Sequence, residues 1–503
     1  MKRFKPGVSF GDFVVTDVMT KKERGKEEKM VDYRRGWVIW LSVLAVMVGL
    51  AVRLGALQIF EGGKYRILAD ENRVKKIRLP APRGPILDRN GVELATLAEA
   101  AAHVVGYLGE VGEEEVGLLK EKGAKYESGS LIGRGGVELV YEEKLRGVDG
   151  GRLVEVDPHQ NVVRELGRME PTPGQELKLT IDADLQRIAY DGLAGRRGAV
   201  VVSNPKTGEV LALVSSPSFD PRQVRADSPF FNRAIGGVYP PGSVFKMVTI
   251  ISALAEEKLG QDFTYKDTGV INIGKFAYTN WYFTQYGRTE GVVGWERALA
   301  RSVDTFFYKV GEETGPEIMA DWAQKLGLGV KTGIDLPGEV PGLIPTPEWK
   351  QKVKGEAWFL GNTYQMAIGQ SDLLVTPLQV NVMTNVIAAG GEKCRPYLTK
   401  SQIPSASWRT KSQINSNDQN SQCSKIDIDL EILKIVKKGM VGACSEGGTA
   451  FPLFGFEPKI ACKTGTAEYV RADGKMGIHA WFTAFAPVDD PTISVTVLVE
   501  GGG

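Results

Sequence analysis

The stretch YPPGSVFKMVTIISAL, residues 239–254, decides how the rest of the chain is read. Pro240, Pro241 and Gly242 cannot continue a helix, and the apolar run after them reads as a buried helix opening at Ser243. Lys246 follows three residues on, the separation that stacks two side chains on one helical face. An ammonium at the start of an apolar helix is partly desolvated, so its pKa falls and it can act as a base toward a hydroxyl one turn away. The helix N-terminus adds backbone N–H groups suited to an oxyanion. The same residues also suit an ordinary capping serine and a surface lysine, and Ser203-Asn204-Pro205-Lys206 repeats the spacing inside a turn.

Two further stretches shift that balance. RSVDTFFY, 301–308, sets Ser302 two residues before the carboxylate of Asp304, with an aromatic run behind it that should anchor the segment in a core. KIACKTGTAEYV, 459–470, places Lys463, Thr464, Gly465 and Thr466 in an apolar strand. Such a strand lets a substrate backbone lie alongside as an added strand while Lys463 and a threonine hydroxyl hold a carboxylate. Lys206-Thr207-Gly208 and Lys331-Thr332-Gly333 repeat the tripeptide, but only the third copy follows a strand-like run and continues into Thr466-Ala467.

The whole chain, 503 residues, is long enough for two or three domains. Its 62 Lys plus Arg against 61 Asp plus Glu leave a formal charge of +1, so no overall field draws nucleic acid and no nucleic-acid partner is expected. Three His, and four Cys without paired C-x-x-C spacing, argue against a metal centre. Cys394 and Cys423 bracket a polar insertion, 401–424, and either pair in an oxidising compartment or stay free thiols. The aromatic cluster Tyr278, Trp281, Tyr282, Phe283 and Tyr286 reads as core or as the floor of a cleft, and His479 as a packed strand residue.

Lys21, Lys22, Arg24, Lys26, Lys29, Arg34 and Arg35 precede WVIWLSVLAVMVGLAV, 37–52, which continues past Arg53 into LGALQIF. This predicts one uncleaved transmembrane helix with its basic flank in the cytoplasm. Asp88-Arg89-Asn90-Gly91 reads as a tight turn. From about residue 176 a larger α/β domain begins: Asp182 can cap a helix, and GAVVVSNPKTGEVLALVSSP is two apolar strands joined at Asn204 to Gly208.

Ser-x-x-Lys, Ser-x-Asp and Lys-Thr-Gly-Thr, in that order, resemble the three signature motifs of the penicillin-recognising serine acyltransferases. The resemblance covers nearly the whole chain. APRGPILDRNG, GRGGVELVYEEKLRG, VVSNPKTGEVLALVSSPSFDP, FNRAIGGVYPPGS, TGIDLPGE, PTPEWKQ, MAIGQSDLLVTPLQ and HAWFTAFAP are all similar to class B penicillin-binding proteins, and to the elongation-type, penicillin-binding protein 2 group among them. Ser-x-Asp is a familiar second motif in that group.

The resemblance implies an α+β multidomain chain: a cytoplasmic tail over 1–36, a transmembrane anchor over 37–60, a reduced β-rich pedestal of the dimerisation type over 61–175, and a transpeptidase domain over 176–503 with an antiparallel sheet flanked by helices. It implies a peptidoglycan D,D-transpeptidase in the bacterial cytoplasmic membrane, its catalytic domain outside, working without cofactor or metal on D-Ala-D-Ala stem peptides and acylated by β-lactams. Ser243 would be the nucleophile and Lys246 its base. Ser302, with Lys463, would relay a proton to the departing D-alanine, Asp304 would bond Lys246 or the substrate amide, and Lys463, Thr464, Gly465 and Thr466 would line the carboxylate site. Backbone N–H groups of Ser243 and Thr466 would form the oxyanion hole. A SEDS-type glycosyltransferase and elongation-complex proteins are the implied partners. A D,D-carboxypeptidase and a non-catalytic β-lactam sensor or scaffold are the alternatives.

Three departures accompany this likeness, one of them the polar insertion 401–424, to which no role is assigned. DRNGVELATLAEAAAHVVGYLGEV runs almost directly to a segment that relatives reach only after a long head subdomain, so the head is expected to be minimal. The chain stops at VTVLVEGGG, where relatives usually continue into a C-terminal helix.

Overall fold

The computed structural model describes residues 33–121, 126–157, 159–399, 423–471 and 473–502. Most of the expected cytoplasmic tail, and residues 401–422 of the polar insertion, lie outside the described residues. The described residues divide into two compact bodies, those up to Ile77 with those of 152–168, and those of 78–151 with those from Met169 onward. Residues 61–77 and 152–168 fall in the first body, and 78–151 and 169–175 in the second.

In the first body, helix α1, Tyr33–Gly55, begins the apolar stretch. Gly36–Phe60 is long and apolar enough to cross a membrane, with a mean hydropathy of 2.2. Trp37, Trp40 and Leu44 are all exposed, so no protein core takes them up. Strands β1, Val74–Leu79, β2, Gly150–Val156, and β3, Val162–Met169, form a sheet in that order. Glu155 on β2 pairs with Arg73 and Arg164, an exposed cluster that orients more than it stabilises.

In the second body, Asp88 closes the expected turn by accepting from the backbone N–H groups of Asn90 and Val92. Asp182 caps helix α2, Ala183–Gly192, accepting from Asp184 N and Leu185 N. The central sheet is built from β4, Gly198–Ser203, β5, Val210–Ser216, β6, Ala461–Val470, β7, Met476–Ala486, and β8, Ile493–Val499. Its order is β6-β7-β8-β4-β5, antiparallel throughout, so β8 closes the sheet against β4. The strand β6 that carries Lys463 is an edge strand.

Helices α3, Lys246–Ala255, α4, Trp295–Arg301, α5, Asp304–Thr314, α6, Pro377–Ala388, and α7, Leu430–Ala443, supply the main core with Met247, Phe306, Phe307 and Met383. Every residue of α6 is buried although Asn381, Thr384 and Asn385 are polar. Their side chains are satisfied by the sheet: Ser203 Oγ donates to Asn381 Oδ1 at 2.5 Å, Asn385 Nδ2 donates to Ser203 Oγ at 2.8 Å, and Thr384 meets Thr483 at 2.7 Å. Buried polar groups without such partners would each cost about 1–3 kcal/mol.

Cys394 is joined to Cys423, closing the polar insertion at its base, so the free-thiol alternative does not hold. A second disulfide, Cys444–Cys462, ties the residue after α7 to β6, next to Lys463. The decoys are structural: Ser203 ends β4, and the exposed Lys206 pairs with Asp490 in the following turn.

Candidate active site

Gly242–Phe245 forms a 3₁₀ turn, and α3 starts only at Lys246, three residues past Ser243, where the sequence alone opens the helix. In a 3₁₀ turn side chains three apart eclipse, which sets Ser243 over Lys246 more directly than an α-turn does. The turn is tight because β6 lies against it. Gly242 has φ 56°, and a Cβ there would overlap the backbone of Thr466. A Cβ at Gly465 would lie 2.9 Å from Trp481 Cβ and 3.1 Å from Pro241 O. Trp481 Nε1 also donates to Pro240 O at 2.9 Å, locking the turn to β7.

Lys246 is wholly buried. Its ammonium donates to Ser302 O at 3.0 Å, Ser302 Oγ at 3.0 Å and Asp304 Oδ1 at 2.6 Å, none of these to Ser243. Burial lowers its pKa, and the Asp304 carboxylate offsets part of that. Lys463, also wholly buried, donates to Ser302 Oγ at 3.1 Å and to Thr464 O at 2.9 Å. Its pKa is held well below the ordinary lysine value by burial first and by the Lys246 charge second, with Asp304 opposing.

Ser302 caps the C-terminus of α4 with φ 57° and ψ 43°, a left-handed conformation that a serine adopts at some cost. The two bonds from Lys246 hold it there. Asp304 opens α5, where its Oδ2 accepts from Trp281 N at 3.1 Å and its N–H donates to Asn280 Oδ1 at 3.3 Å. Asn280 is held in turn by buried Asp267, which accepts from Asn280 Nδ2 at 2.9 Å, Gly269 N at 2.8 Å, Glu290 N at 2.9 Å and Thr305 Oγ1 at 2.7 Å.

Lys246, Ser302, Asp304 and Lys463 thus meet in one hydrogen-bonded cluster, with Ser243 in the turn that precedes Lys246 and Thr466 abutting Gly242. Thr464 Oγ1 meets Thr449 Oγ1 at 2.8 Å, and Thr466 is exposed. Asp267, Asn280, Thr449 and Gln370 escape sequence reasoning; only Gln370 lies in a stretch, MAIGQSDLLVTPLQ, that drew attention. The aromatic cluster divides: Tyr278 packs edge-on against Tyr308 and Tyr364, whereas the Arg301 guanidinium lies over Trp281 and Tyr282. His479 is buried, stacked on Tyr469 at 4.0 Å, as a packed strand residue.

Two amines and one carboxylate in an enclosed space leave one amine without a counter-charge, which favours its neutral form. The cluster can therefore accept a proton and pass it along Ser302, beside a serine hydroxyl held on a tight turn against an edge strand. Residues 198–503 match the family model of the penicillin-binding protein transpeptidase domain. The chain belongs to that family. Residues 96–179 match the penicillin-binding protein dimerisation domain. The chain is similar to the peptidoglycan D,D-transpeptidase MrdA of Acinetobacter baumannii, 30% identical over 96% of this chain and 86% of the relative. Its fold is similar to that of penicillin-binding protein 2 of Helicobacter pylori, solved in complex with MreC, at a TM-score of 0.70 and 25% identity over 85% of this chain and 95% of the other. It also resembles a chain from a peptidoglycan synthase complex that coordinates polymerization and crosslinking, at a TM-score of 0.70 and 28% identity over 93% of this chain and 95% of the other.

Proposed function

We propose that this chain is a peptidoglycan D,D-transpeptidase of cell elongation that works through an acyl-enzyme on Ser243. Ser243 Oγ adds to the carbonyl carbon of the penultimate D-alanine of a stem peptide. The C–N bond to the terminal D-alanine breaks, leaving an ester on Ser243. Lys246, once its proton has passed through Ser302 to Lys463, takes the Oγ proton, and Lys463 with Ser302 delivers a proton to the departing amine. Asp304 fixes Lys246. Lys463, Thr464 and Thr466 hold the terminal carboxylate, Gly465 lets β6 come close, and the N–H groups of Ser243 and Thr466 receive the oxyanion.

The amine of a neighbouring stem peptide then attacks the ester carbonyl. A new amide forms, the C–O bond breaks, and the proton released by the amine returns to Ser243 Oγ. A β-lactam acylates the same oxygen, but its leaving nitrogen stays tethered, so the ester persists. No step uses a cofactor or a metal.

The observation that carries this reading is the meeting of Lys246, Ser302, Asp304 and Lys463, from three separate stretches of chain, in one buried cluster. In this reading residues 1–36 lie in the cytoplasm, 37–60 cross the bacterial cytoplasmic membrane once, 61–175 form the pedestal and 176–503 act outside. Glycan polymerisation falls to a SEDS-type partner, and a protein of the MreC kind, MreC being bound to the Helicobacter pylori relative, is a second. The test is to supply the purified full chain with nascent pentapeptide-bearing glycan and weigh the products. Cross-linked dimers and free D-alanine in equal amounts are expected; D-alanine without dimers would make the enzyme a carboxypeptidase.

A further inference from the structure

Strand β6 is an edge strand, and in an antiparallel strand alternate residues point both backbone groups to the same side. Thr464, Thr466 and Glu468 therefore face the free edge, where a substrate backbone would add. Part of that edge is already occupied. Gln370 Nε2 donates to Thr466 O at 3.1 Å, and Glu468 N donates to Gln370 Oε1 at 3.2 Å. One side-chain amide thus supplies a donor and an acceptor to groups two residues apart, as one residue of a paired parallel strand does.

The backbone beneath that amide is pinned beside the Ser243 turn. Gly242 N donates to Gly369 O at 2.8 Å, Gln370 N donates to Gln365 O at 2.8 Å, and a Cβ at Gly369 would overlap the Gly242 carbonyl. The Gln370 amide itself is solvent-exposed where it meets β6, so it can rotate away while its backbone stays in place.

We propose that Gln370 is a specificity-determining cap on the acyl-donor groove. Its amide stands in for substrate backbone on β6 and yields Thr466 O to the amide N–H of an incoming acyl donor. The inference rests on Ser243 being the acylated residue. The exchange trades one N–H···O bond for another, so a donor with an N–H at that position displaces the cap at little cost. A ligand without that N–H leaves the cap in place and does not feel its removal.

The test compares acylation rates of the full chain in detergent by benzylpenicillin, which carries an acylamido N–H, and imipenem, which carries a hydroxyethyl group there. In Gln370→Ala the benzylpenicillin rate should rise about fivefold, what one exchanged hydrogen bond is worth, with the imipenem rate unchanged. Gln370→Glu keeps the length and loses the donor to Thr466 O; it should move the ratio of the two rates the same way, even if the alanine variant folds poorly. Equal changes for both compounds, or a slower benzylpenicillin reaction alone, would overturn the cap. Wild-type chain that forms no adduct with either compound would overturn the acyl-enzyme reading and the cap with it.

Discussion

Lys246 and Lys463, both wholly buried, donate to a single oxygen, Ser302 Oγ, at 3.0 and 3.1 Å. With Asp304 the only carboxylate bonded to either amine among the described residues, one lysine keeps its proton with a partner and the other does not. The hydroxyl between them is the path along which a proton can change hands.

Replacing that hydroxyl tests the path. Ser302→Ala leaves both amines short of an acceptor and should slow acylation by roughly 100-fold, in the range of a lost proton-transfer group. The variant should fold, with a stability loss of about 1–3 kcal/mol from the unsatisfied donors. Stopped-flow acylation with a fluorescent penicillin, beside thermal unfolding, measures both effects.

The pH dependence follows from the two lysines. Burial lowers both pKa values, and acylation needs a neutral amine, so the rate should rise with pH through a value below the ordinary lysine pKa of 10.5. Asp304 is the influence that raises both. Asp304→Asn should therefore move this limb to lower pH, while the plateau rate falls because Lys246 loses its tether. The folded chain binds fewer lysine protons than the unfolded one, so the stability carried by these groups is full above 10.5 and is lost as the pH falls toward the depressed values. A limb that moves to higher pH in Asp304→Asn contradicts the assignment.

Asp267 lies one step further out. Its carboxylate gathers four donors and holds Asn280, which meets the N-terminus of α5 at Asp304. Asp267→Ala should cost roughly 2–4 kcal/mol in urea unfolding, because several buried donors lose their acceptor together. Acylation should also slow at temperatures where the variant is still folded, as Asp304 loses its support.

Gly465→Ala tests the close approach of β6 to the Ser243 turn. The added Cβ meets Trp481 and Pro241, and overpacking of this kind costs about 1–3 kcal/mol. Acylation should fall more than stability does, because the strand is pushed away from the reacting hydroxyl. A variant that acylates at the wild-type rate would show that the approach is not needed for the reaction.

The three motifs, the strand pair on either side of Asn204–Gly208 and the Asp182 cap were legible because each is local: a spacing, an alternation or a capping residue next to what it acts on. The burial of Phe306 and Phe307 likewise follows from an apolar run. The supports of the site are not local. Gln370 reaches Thr466 across 96 residues, and Asp267 reaches Thr305 across 38, so neither contact leaves a mark in its own neighbourhood. The 3₁₀ turn at Ser243 depends on Gly242 meeting Thr466, and the Cys444–Cys462 bond depends on α7 ending beside β6. An apolar stretch cannot say which helix type it enters, nor a cysteine which strand will pass it.

The central claim is that Ser243 forms the acyl-enzyme, and intact-protein mass of the full chain after incubation with benzylpenicillin tests it most directly. Wild-type chain should gain the mass of one benzylpenicillin, and folded Ser243→Ala should gain nothing. An adduct that persists in Ser243→Ala, or none on folded wild-type chain, contradicts the account.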